Sequence, residues 1–293
     1  MTLQQRERIG SIIRSVVVIA IALICAVPLY VIVINTFKSS AEMSMDPIGL
    51  PKTWNFENYT YAFGHLPIVN AFKNTIIVTV VGVGLQVLFG ALAAYGMILK
   101  KSKFTAVIGV LLMLSFIIPG QTLLIPQYRM EAQVGLVDSL LGLIVLYTGG
   151  ATFCYFLIVQ YMRGLPYEII EAARIDGANE FVVLTRIFVP ISKPFMATFA
   201  LFYAVERWNG WWEAFLYIND KNIKPLQIYL RDILVSFNTQ LGSQAQSMLS
   251  GDKVFVQSVQ MAAIVITMLP ILCLYPFLQK YFVKGVMIGS VKE

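Results

Sequence analysis

Five long stretches of this chain carry no charged residue, and their spacing constrains the fold more than any other feature. They hold 23 to 26 residues each, between the charged residues at 14 and 38, 73 and 100, 103 and 129, 138 and 163, and 253 and 280. A helix rises about 1.5 Å per residue, so each stretch is long enough to cross a hydrocarbon layer of about 30 Å. Only 13% of all residues are charged. The sequence therefore predicts an all-α integral membrane protein.

A sixth apolar stretch, at about 194–218, is interrupted by charged residues but is also predicted to cross the membrane. The interruptions are Glu206, Arg207 and Glu213. An odd number of spans would separate the termini, which the distribution of basic residues places on one side. Pro119 falls inside the third span, where a proline is expected to bend the helix. The six predicted spans cover about residues 13–36, 70–99, 105–128, 139–162, 194–218 and 258–281.

Basic residues are concentrated in alternate connecting segments, which predicts the orientation of the chain. The segments 1–15, 100–104, 163–193 and 280–293 hold 13 Lys or Arg in 65 residues, whereas 38–69, 127–138 and 219–258 hold 7 in 84. Cytoplasmic segments are the more basic ones in membrane proteins. We therefore expect six transmembrane helices with both termini in the cytoplasm. The net charge of +6 follows from this topology and does not indicate a nucleic-acid partner.

No catalytic, metal or nucleotide site can be recognised in the sequence. The single histidine, His65, falls in a loop, and acids and cysteines do not cluster at the spacing of metal ligands. No Gly-Lys dipeptide occurs, so the chain lacks a P-loop. An integral membrane enzyme is therefore disfavoured, and no cofactor is predicted on this chain.

The segment between the fourth and fifth spans is unusually polar for so apolar a chain. Residues 168–190 read EIIEAARIDGANEFVVLTRIFVP and contain four acids and two arginines. We predict two short helices here. Gly177 suits the left-handed residue that ends the first helix, and Asn179 suits the cap of a second helix that Pro190 ends.

The first of these helices has two different faces. Ile169, Ala172 and Ala173 fall on one stripe, while Glu171 and Arg174 face away. A small-residue stripe beside an acid allows another protein surface to approach closely and to pair with the acid. The alternative is a helix lying on the inner leaflet, although such helices are usually rich in Lys and Arg. Docking to a cytoplasmic protein is the interpretation that the composition favours.

The same segment also resembles a known signature. It consists of Glu-Ala-Ala, three residues, Gly, nine residues and Ile-x-Val-Pro. This pattern is similar to the signature loop of the permease subunits of binding-protein-dependent ABC importers, which usually ends in Ile-x-Leu-Pro, so Val189 departs from it. Further stretches resemble the second, shorter permease of the carbohydrate branch, the maltose-permease-like subunits. They read WNFENYTYAF, FKNTIIVT, LPYEIIEAARIDGAN, PISKPFMATFALFYAVERWNGWWEAF and QKYFVKGVMIGSVKE, and they extend over residues 54–293.

The resemblance implies that residues 163–193, the coupling loop, dock a coupling helix into a cleft of an ATP-hydrolysing subunit. Glu171 would pair with a base there, Ala172 and Ala173 would permit close packing, and Gly177 would make the turn. Arg174 and Asp176 belong to the same contact.

The resemblance also assigns a role to the C-terminal tail, residues 283–293. The tail would reach between the ATPase subunits with Gly289, Ser290, Val291 and Lys292. Without the resemblance, a charged terminus of this kind is more simply a solvated end of the chain.

The motif ERWNGWWEAF in the fifth span suggests a substrate pathway. Its aromatic side chains would stack on sugar faces, and its polar side chains would contact hydroxyl groups. The alternative is that the tryptophans anchor the span at the membrane interface and that Glu206 pairs with Arg207. The candidate pathway residues are Glu206, Trp208, Asn209, Trp211 and Trp212.

The resemblance further implies a complex in a bacterial inner membrane. The chain would form one transmembrane domain, 1–293, with a core at 70–282, and would pair with a second permease subunit. Two ATP-binding cassette subunits would carry ATP and Mg, and a periplasmic or extracellular solute-binding protein would touch the loop 219–257. Two other transporters stay open: an ABC permease for a non-sugar solute, and an ion-coupled secondary transporter, for which the spans offer few ionisable groups.

Overall fold

The computed structural model describes most of the chain, and every regular element in the described residues is a helix. The described residues are 3–99, 102–149, 152–163, 168–240 and 256–290. In chain order the helices are α1 (Leu3–Asn35), α2 (Ser40–Met45), α3 (Glu57–His65), α4 (Ile68–Leu99), α5 (Lys103–Ile117), α6 (Gly120–Gln133), α7 (Leu140–Gly149), α8 (Thr152–Arg163), α9 (Glu168–Ile175), α10 (Glu180–Val182), α11 (Val189–Asn209), α12 (Trp212–Tyr217), α13 (Leu226–Gln240) and α14 (Val256–Ser290). A π-helical turn, Val183–Phe188, joins α10 to α11. The predicted all-α class is confirmed.

Three helices in the described part of the chain are each long and apolar enough to cross a membrane. The qualifying stretches are Arg8–Asn35 in α1, Ile68–Ile98 in α4 and Gln257–Pro276 in α14. They coincide with the first, second and sixth predicted spans. The helix that contains the last stretch runs on to Ser290 without a break, through Pro270 and Pro276.

The third predicted span is a pair of helices that meet at a sharp angle. α5 begins with a capping box between Ser102 and Thr105, and it is inclined by 109° to α6. Pro119 precedes α6 with a φ of −58°. Because a proline has no backbone N–H, it cannot continue the hydrogen-bond ladder of α5. The bend expected at this proline is confirmed.

The fourth predicted span corresponds to two shorter helices. α7 has 10 residues and α8 has 12, and residues 150 and 151 between them lie outside the described part of the chain. With each bent pair counted as one span, the described residues contain up to five spans. Six spans therefore remain a prediction.

The helix after Asn179 does not end at Pro190, so that prediction was wrong. Helical structure is continuous from Glu180 to Asn209. The π-helical turn ends at Phe188, two residues before the proline, and such a local adjustment lets a helix accommodate the missing N–H. The chain changes direction a little later, where Glu180–Lys193 and Phe195–Asn209 meet at 66°. The second helix of the coupling loop is therefore the beginning of the fifth apolar segment.

The chain forms two compact units, Met1–Ile68 with Leu230–Leu269 and Val69–Tyr229 with Pro270–Glu293. In the first unit, buried polar contacts hold the loop after α1. Lys38 is 1% exposed and donates from Nζ to the carbonyl of Asp46 at 2.6 Å. Asn58 Nδ2 donates to the carbonyl of Thr36 at 2.8 Å. Because these two buried donors have partners in the loop, the loop keeps a defined shape.

The second unit contains two buried apolar clusters. The first cluster joins α4, α8, the π-helical turn and α11 through Val83, Val87, Ala91, Ala94, Tyr155, Ile158, Val159, Phe188, Phe199 and Tyr203. The second cluster joins α4, α7, α12 and the start of α13 through Val78, Leu143, Ile144, Tyr147, Ala214, Tyr217, Ile218 and Ile228. The coupling loop contacts the first cluster at Phe188, and the cavity described below contacts both.

Candidate functional site

The first half of the coupling loop contains the short helix α9, and most residues of this helix are exposed. α9 has Glu168 and Glu171 in its first turn and Arg174 in its last turn, an arrangement that complements the helix dipole. Ile170 is its buried residue, with 6% exposure. Residues 164–167, directly before this helix, lie outside the described part of the chain. Ile170 therefore anchors the helix, and the other faces stay accessible.

A complete Schellman motif ends α9. Gly177 has a φ of +85°, its N–H donates to the carbonyl of Arg174 at 3.0 Å, and the N–H of Ala178 donates to the carbonyl of Ala173 at 2.9 Å. This pair of hydrogen bonds defines the motif and requires a left-handed residue at the glycine position. The predicted turn at Gly177 is confirmed.

The residues assigned to ATPase contact differ in exposure. Glu171, Ala172, Asp176 and Gly177 are exposed, whereas Ala173 and Arg174 are half-buried. The stripe expected to receive another surface is thus open at Ala172. Glu171 is exposed on the same helix, so both features that the predicted contact needs are accessible.

The second half of the loop is fixed by a polar network that the sequence did not reveal. The Asn179 side chain accepts the N–H of Val182 at 2.9 Å, as predicted for a cap. Glu180 then pairs with two elements: its Oε1 accepts from Arg174 Nη2 at 2.8 Å, and its Oε2 accepts from Tyr95 Oη at 2.8 Å. Tyr95 lies on α4, 85 residues away, which is why no local pattern indicated this contact.

Apolar contacts reinforce the same junction. The rings of Tyr95 and Phe188 meet edge to face, with centroids 5.0 Å apart. Phe188 and Val183 have no exposed surface. Burial of the Val183 and Phe188 side chains stabilises the position of the π-helical turn by roughly 1.5–3 kcal/mol for each of the two residues. The coupling loop is therefore attached to the helices of the second unit through side chains as well as through the backbone.

The residues predicted at the C-terminal tail are only partly described. Gly289 and Ser290 form the end of α14. Val291 and Lys292 lie outside the described residues. A helix that reaches Ser290 extends 14 residues beyond Pro276, the end of the apolar stretch.

A cavity of about 520 Å³ lies within the second unit. Residues on both sides of the α5–α6 bend line it, together with residues from α7, α11 and α12. The polar and aromatic members of the lining are Ser115, Phe116, Gln121, Gln127, Tyr147, Thr152, Tyr203, Glu206, Arg207, Trp212, Glu213 and Tyr217. A pocket of this size, with aromatic surfaces and a few polar groups, suits a small polar solute.

Arg207 is the most constrained charged group of the cavity. Its guanidinium carbon lies 4.1 Å from the ring centroid of Tyr147, a cation–π geometry. Its Nη1 is 3.6 Å from Glu206 Oε1, and its side chain is 11% exposed. Its Nε is buried and has no hydrogen-bond partner among the described residues, and the same holds for the hydroxyl of Tyr217. Buried donors without partners are rare, so this wall is suited to binding a solute that supplies acceptors.

The candidate pathway residues separate into two groups. Glu206 and Trp212 line the cavity. Trp208 is 7% exposed and packs edge to face on Phe72 with centroids 5.4 Å apart. Asn209 Nδ2 donates to the carbonyl of Val205 at 2.8 Å, and Trp211 meets Trp212 edge to face at 5.5 Å. The last three are not part of the lining.

Sequence reasoning missed several lining residues because they come from different helices. Gln121, Tyr147 and Tyr217 lie on α6, α7 and α12. Each of these residues is unremarkable within its own segment. The polarity of the pocket arises only when the segments pack together.

Comparison with known proteins shows the family of the chain. The family described as binding-protein-dependent transport system inner membrane component matches residues 86–288, a range that includes the coupling loop and all the residues that line the cavity. The chain belongs to this family.

Two curated proteins similar to the chain come from Bacillus subtilis (strain 168). Protein LplC is 37% identical over 272 residues, which cover 92% of this chain and 90% of the relative. The polygalacturonan/rhamnogalacturonan transport system permease protein YtcP is 33% identical over 272 residues, covering 92% of this chain and 94% of the relative. The similarity thus extends over nearly the full length of each protein.

A solved structure shares the fold. It is a bacterial ABC transporter involved in the import of the acidic polysaccharide alginate, and one of its chains is 28% identical to this chain. The two superpose with a TM-score of 0.83, covering 96% of this chain and 99% of the other. The helix arrangement described above is therefore the arrangement of a known importer subunit.

Proposed function

We propose that this chain is one of two permease subunits of an ABC importer that carries an oligosaccharide across the bacterial inner membrane. The observation that carries the proposal is the exposed helix α9, ended by Gly177 in a Schellman motif, within a chain of this permease family. ATP hydrolysis takes place on separate subunits. The importer is therefore a complex, and this chain provides half of its path through the membrane.

The proposed topology has six spans, with the coupling loop and both termini in the cytoplasm. The basic residues in alternate segments support this orientation. The fourth span then consists of α7 and α8, and the fifth consists of α11 with α12. In this topology α9 lies on the side of the membrane where ATP is available.

Two ATP-binding cassette subunits, which hold ATP and Mg, dock on the complex. On this chain Glu171 pairs with a base of the ATPase, while Ala172 and Ala173 allow its surface to approach. Gly177, Arg174 and Asp176 fix the shape of the turn. Closure of the ATPase dimer displaces α9, and the displacement passes to α8 and α11 on either side of the loop.

The C-terminal end of the chain makes a second contact with the ATPase subunits. Gly289, Ser290, Val291 and Lys292 reach between them. The length of α14 supports this arrangement, because it continues well past the apolar stretch that would end at the membrane surface. Deleting the residues after Ile288 tests this contact, because undiminished transport would contradict it.

The oligosaccharide passes through the cavity. Its hydroxyl oxygens accept from Arg207 Nε and Tyr217 Oη, and Trp212 offers a ring face for stacking. The names of relatives and of the solved importer refer to polysaccharides or their fragments, which supports a saccharide over other solutes. A solute-binding protein delivers the sugar and contacts the loop 219–257 on the outer face.

Reconstitution of the complete importer tests the proposal. The chain is placed in proteoliposomes with its partner permease, the ATPase and the cognate binding protein, and a panel of neutral and acidic oligosaccharides is screened. Beforehand, shifts in the melting temperature of the binding protein identify which sugars it holds. We expect at least one oligosaccharide to stimulate ATP hydrolysis and to accumulate inside. If no saccharide does so and another solute does, the sugar assignment is wrong.

A further inference from the structure

We propose that Glu180 is a positioning residue that ties the coupling helix to α4, so that movement of α9 reaches α4 as well as α11. The inference rests on the proposed function, since it concerns how a docked ATPase displaces the spans. Glu180 and Tyr95 lie outside the residues predicted to contact the ATPase, which end at Gly177, whereas Arg174 belongs to them.

The geometry places the Glu180 carboxylate between two helices. Its two oxygens bind different partners: Arg174 of α9 at 2.8 Å, and Tyr95 of α4 at 2.8 Å. The Tyr95 hydroxyl also lies 2.9 Å from the backbone carbonyl of Glu180. One carboxylate therefore connects the C-terminal end of α9, the start of α10 and the C-terminal part of α4.

Without this contact, α9 would be attached mainly through its chain ends. It has eight residues and one buried residue, Ile170. On its C-terminal side the connection to α10 passes through Gly177, Ala178 and Asn179, of which Gly177 and Asn179 are exposed. Arg174 bridges this turn from one side to the other. The ion pair between Arg174 and Glu180 thus stiffens the turn between α9 and α10. Without it, a force applied to α9 would bend the chain at this turn.

The Tyr95 end of the network rests on rigid structure. Its ring packs on Phe188, which is fully buried in the first apolar cluster of the second unit. Ala91 and Ala94 of α4 belong to the same cluster. A hydrogen bond to Tyr95 is therefore a link to the packed interior and not to a mobile side chain.

The network of Arg174, Glu180 and Tyr95 fixes the relative orientation of helices more than it contributes to the free energy of folding. The side chains of Arg174 and Glu180 are 33% and 62% exposed, and exposed ion pairs contribute little to folding. A charged carboxylate that accepts from two helices at once nevertheless fixes direction, because charge-assisted hydrogen bonds are short and specific. Loss of the charge is expected to change how the helices move together, with little loss of folded protein.

The first test measures sugar transported per ATP hydrolysed in the reconstituted importer. Glu180→Gln keeps the size of the side chain and removes its charge, and Tyr95→Phe keeps the ring contact and removes the hydroxyl. We expect each to lower the ratio about fivefold while ATP hydrolysis stays within about twofold. The double variant should be no worse than the worse single variant, because both break one network. Glu168→Gln, an acid on α9 outside the network, is the matched control.

Hydrogen exchange of residues 168–178 in the same complex gives an independent measure. Faster exchange in Glu180→Gln and in Tyr95→Phe, but not in Glu168→Gln, is the expected result. An unchanged transport ratio in both network variants overturns the inference, as does a parallel loss of transport and ATP hydrolysis with unchanged exchange. If the unaltered complex carries no sugar, the proposed function fails instead, and the two failures are thus distinguished.

Discussion

The coupling loop and the cavity differ in whether particular polar groups have hydrogen-bond partners within the chain. In the loop, Glu180 has partners on both oxygens, and Asn179 and Gly177 satisfy the adjoining helix ends. In the cavity, Arg207 Nε and Tyr217 Oη are buried without a partner among the described residues. The Glu180 carboxylate and the two helix ends of the loop are thus held by the chain itself, which suits them to withstand an applied force. The cavity is incomplete and suited to bind what completes it.

This contrast predicts that substitutions in the loop change coupling and that substitutions in the cavity change affinity. The largest effect is expected at Glu171. Glu171→Ala leaves a base of the ATPase without its partner, which should lower transport about tenfold or more. Ala173→Trp should be equally damaging, because a bulky side chain prevents close approach. Transport and ATP hydrolysis by the reconstituted complex are the measurements.

Glu168→Ala is the matched control for Glu171→Ala, because both acids lie in the first turn of α9. Its transport should remain within about twofold of the unaltered chain. Undiminished transport by Glu171→Ala would remove this residue from the ATPase contact.

The next largest effect is expected at Arg207. Arg207→Lys keeps the positive charge but loses the buried Nε and the planar group that stacks on Tyr147. We expect the KM for the transported sugar, delivered by its binding protein, to rise about tenfold while sugar moved per ATP is preserved. Arg129→Lys on α6 is a control on an exposed arginine. An unchanged KM would mean that the solute does not use this donor.

A smaller, structural effect is expected at Gly177. Its φ of +85° costs an L-residue about 1–2 kcal/mol, so Gly177→Ala should destabilise the end of α9 by that order. Hydrogen exchange of residues 168–178 measures the change. Gly96→Ala provides the comparison, since Gly96 lies within α4 and has no atom within 4 Å of an added Cβ. Equal exchange in the two variants would contradict the role of the left-handed turn.

The smallest effect is expected at Tyr217. Tyr217→Phe removes a buried hydroxyl that has no partner among the described residues, so the thermal stability of the unliganded complex should not fall. The KM should rise about fivefold, because one solute hydrogen bond is worth about 1 kcal/mol. Tyr128→Phe, at the neighbouring ring 5.4 Å away, is the control. A drop in stability with unchanged KM would indicate a purely structural hydroxyl.

The sequence predicted what depends on neighbouring residues. Uncharged stretches gave the long helices, the proline at 119 gave the bend, and Gly177 and Asn179 gave the turn and the cap. Each of these features is decided within a few positions of the chain, where backbone chemistry is specific.

The sequence did not predict what depends on distant segments. The contact of Tyr95 with Glu180 joins residues 85 positions apart. The cavity lining extends from Ser115 to Tyr217. Pro190 was misjudged because a π-helical turn, which no residue type specifies, carries the helix past it. Trp208 was predicted to stack on a sugar face because it lies in an aromatic motif, but its ring packs against Phe72.

The bend of 109° between α5 and α6 has a consequence for how saccharides are told apart. Where a helix ends, its last carbonyls lose their partners within the helix, and Ser115, Phe116 and Ile118 at this end all border the cavity. We therefore expect free carbonyls at this helix end to form part of the cavity wall, which mutation of side chains leaves in place. We expect related importers to share this main-chain contribution for the hydroxyls common to all sugars. The lining side chains around it would then differ between importers that carry different saccharides.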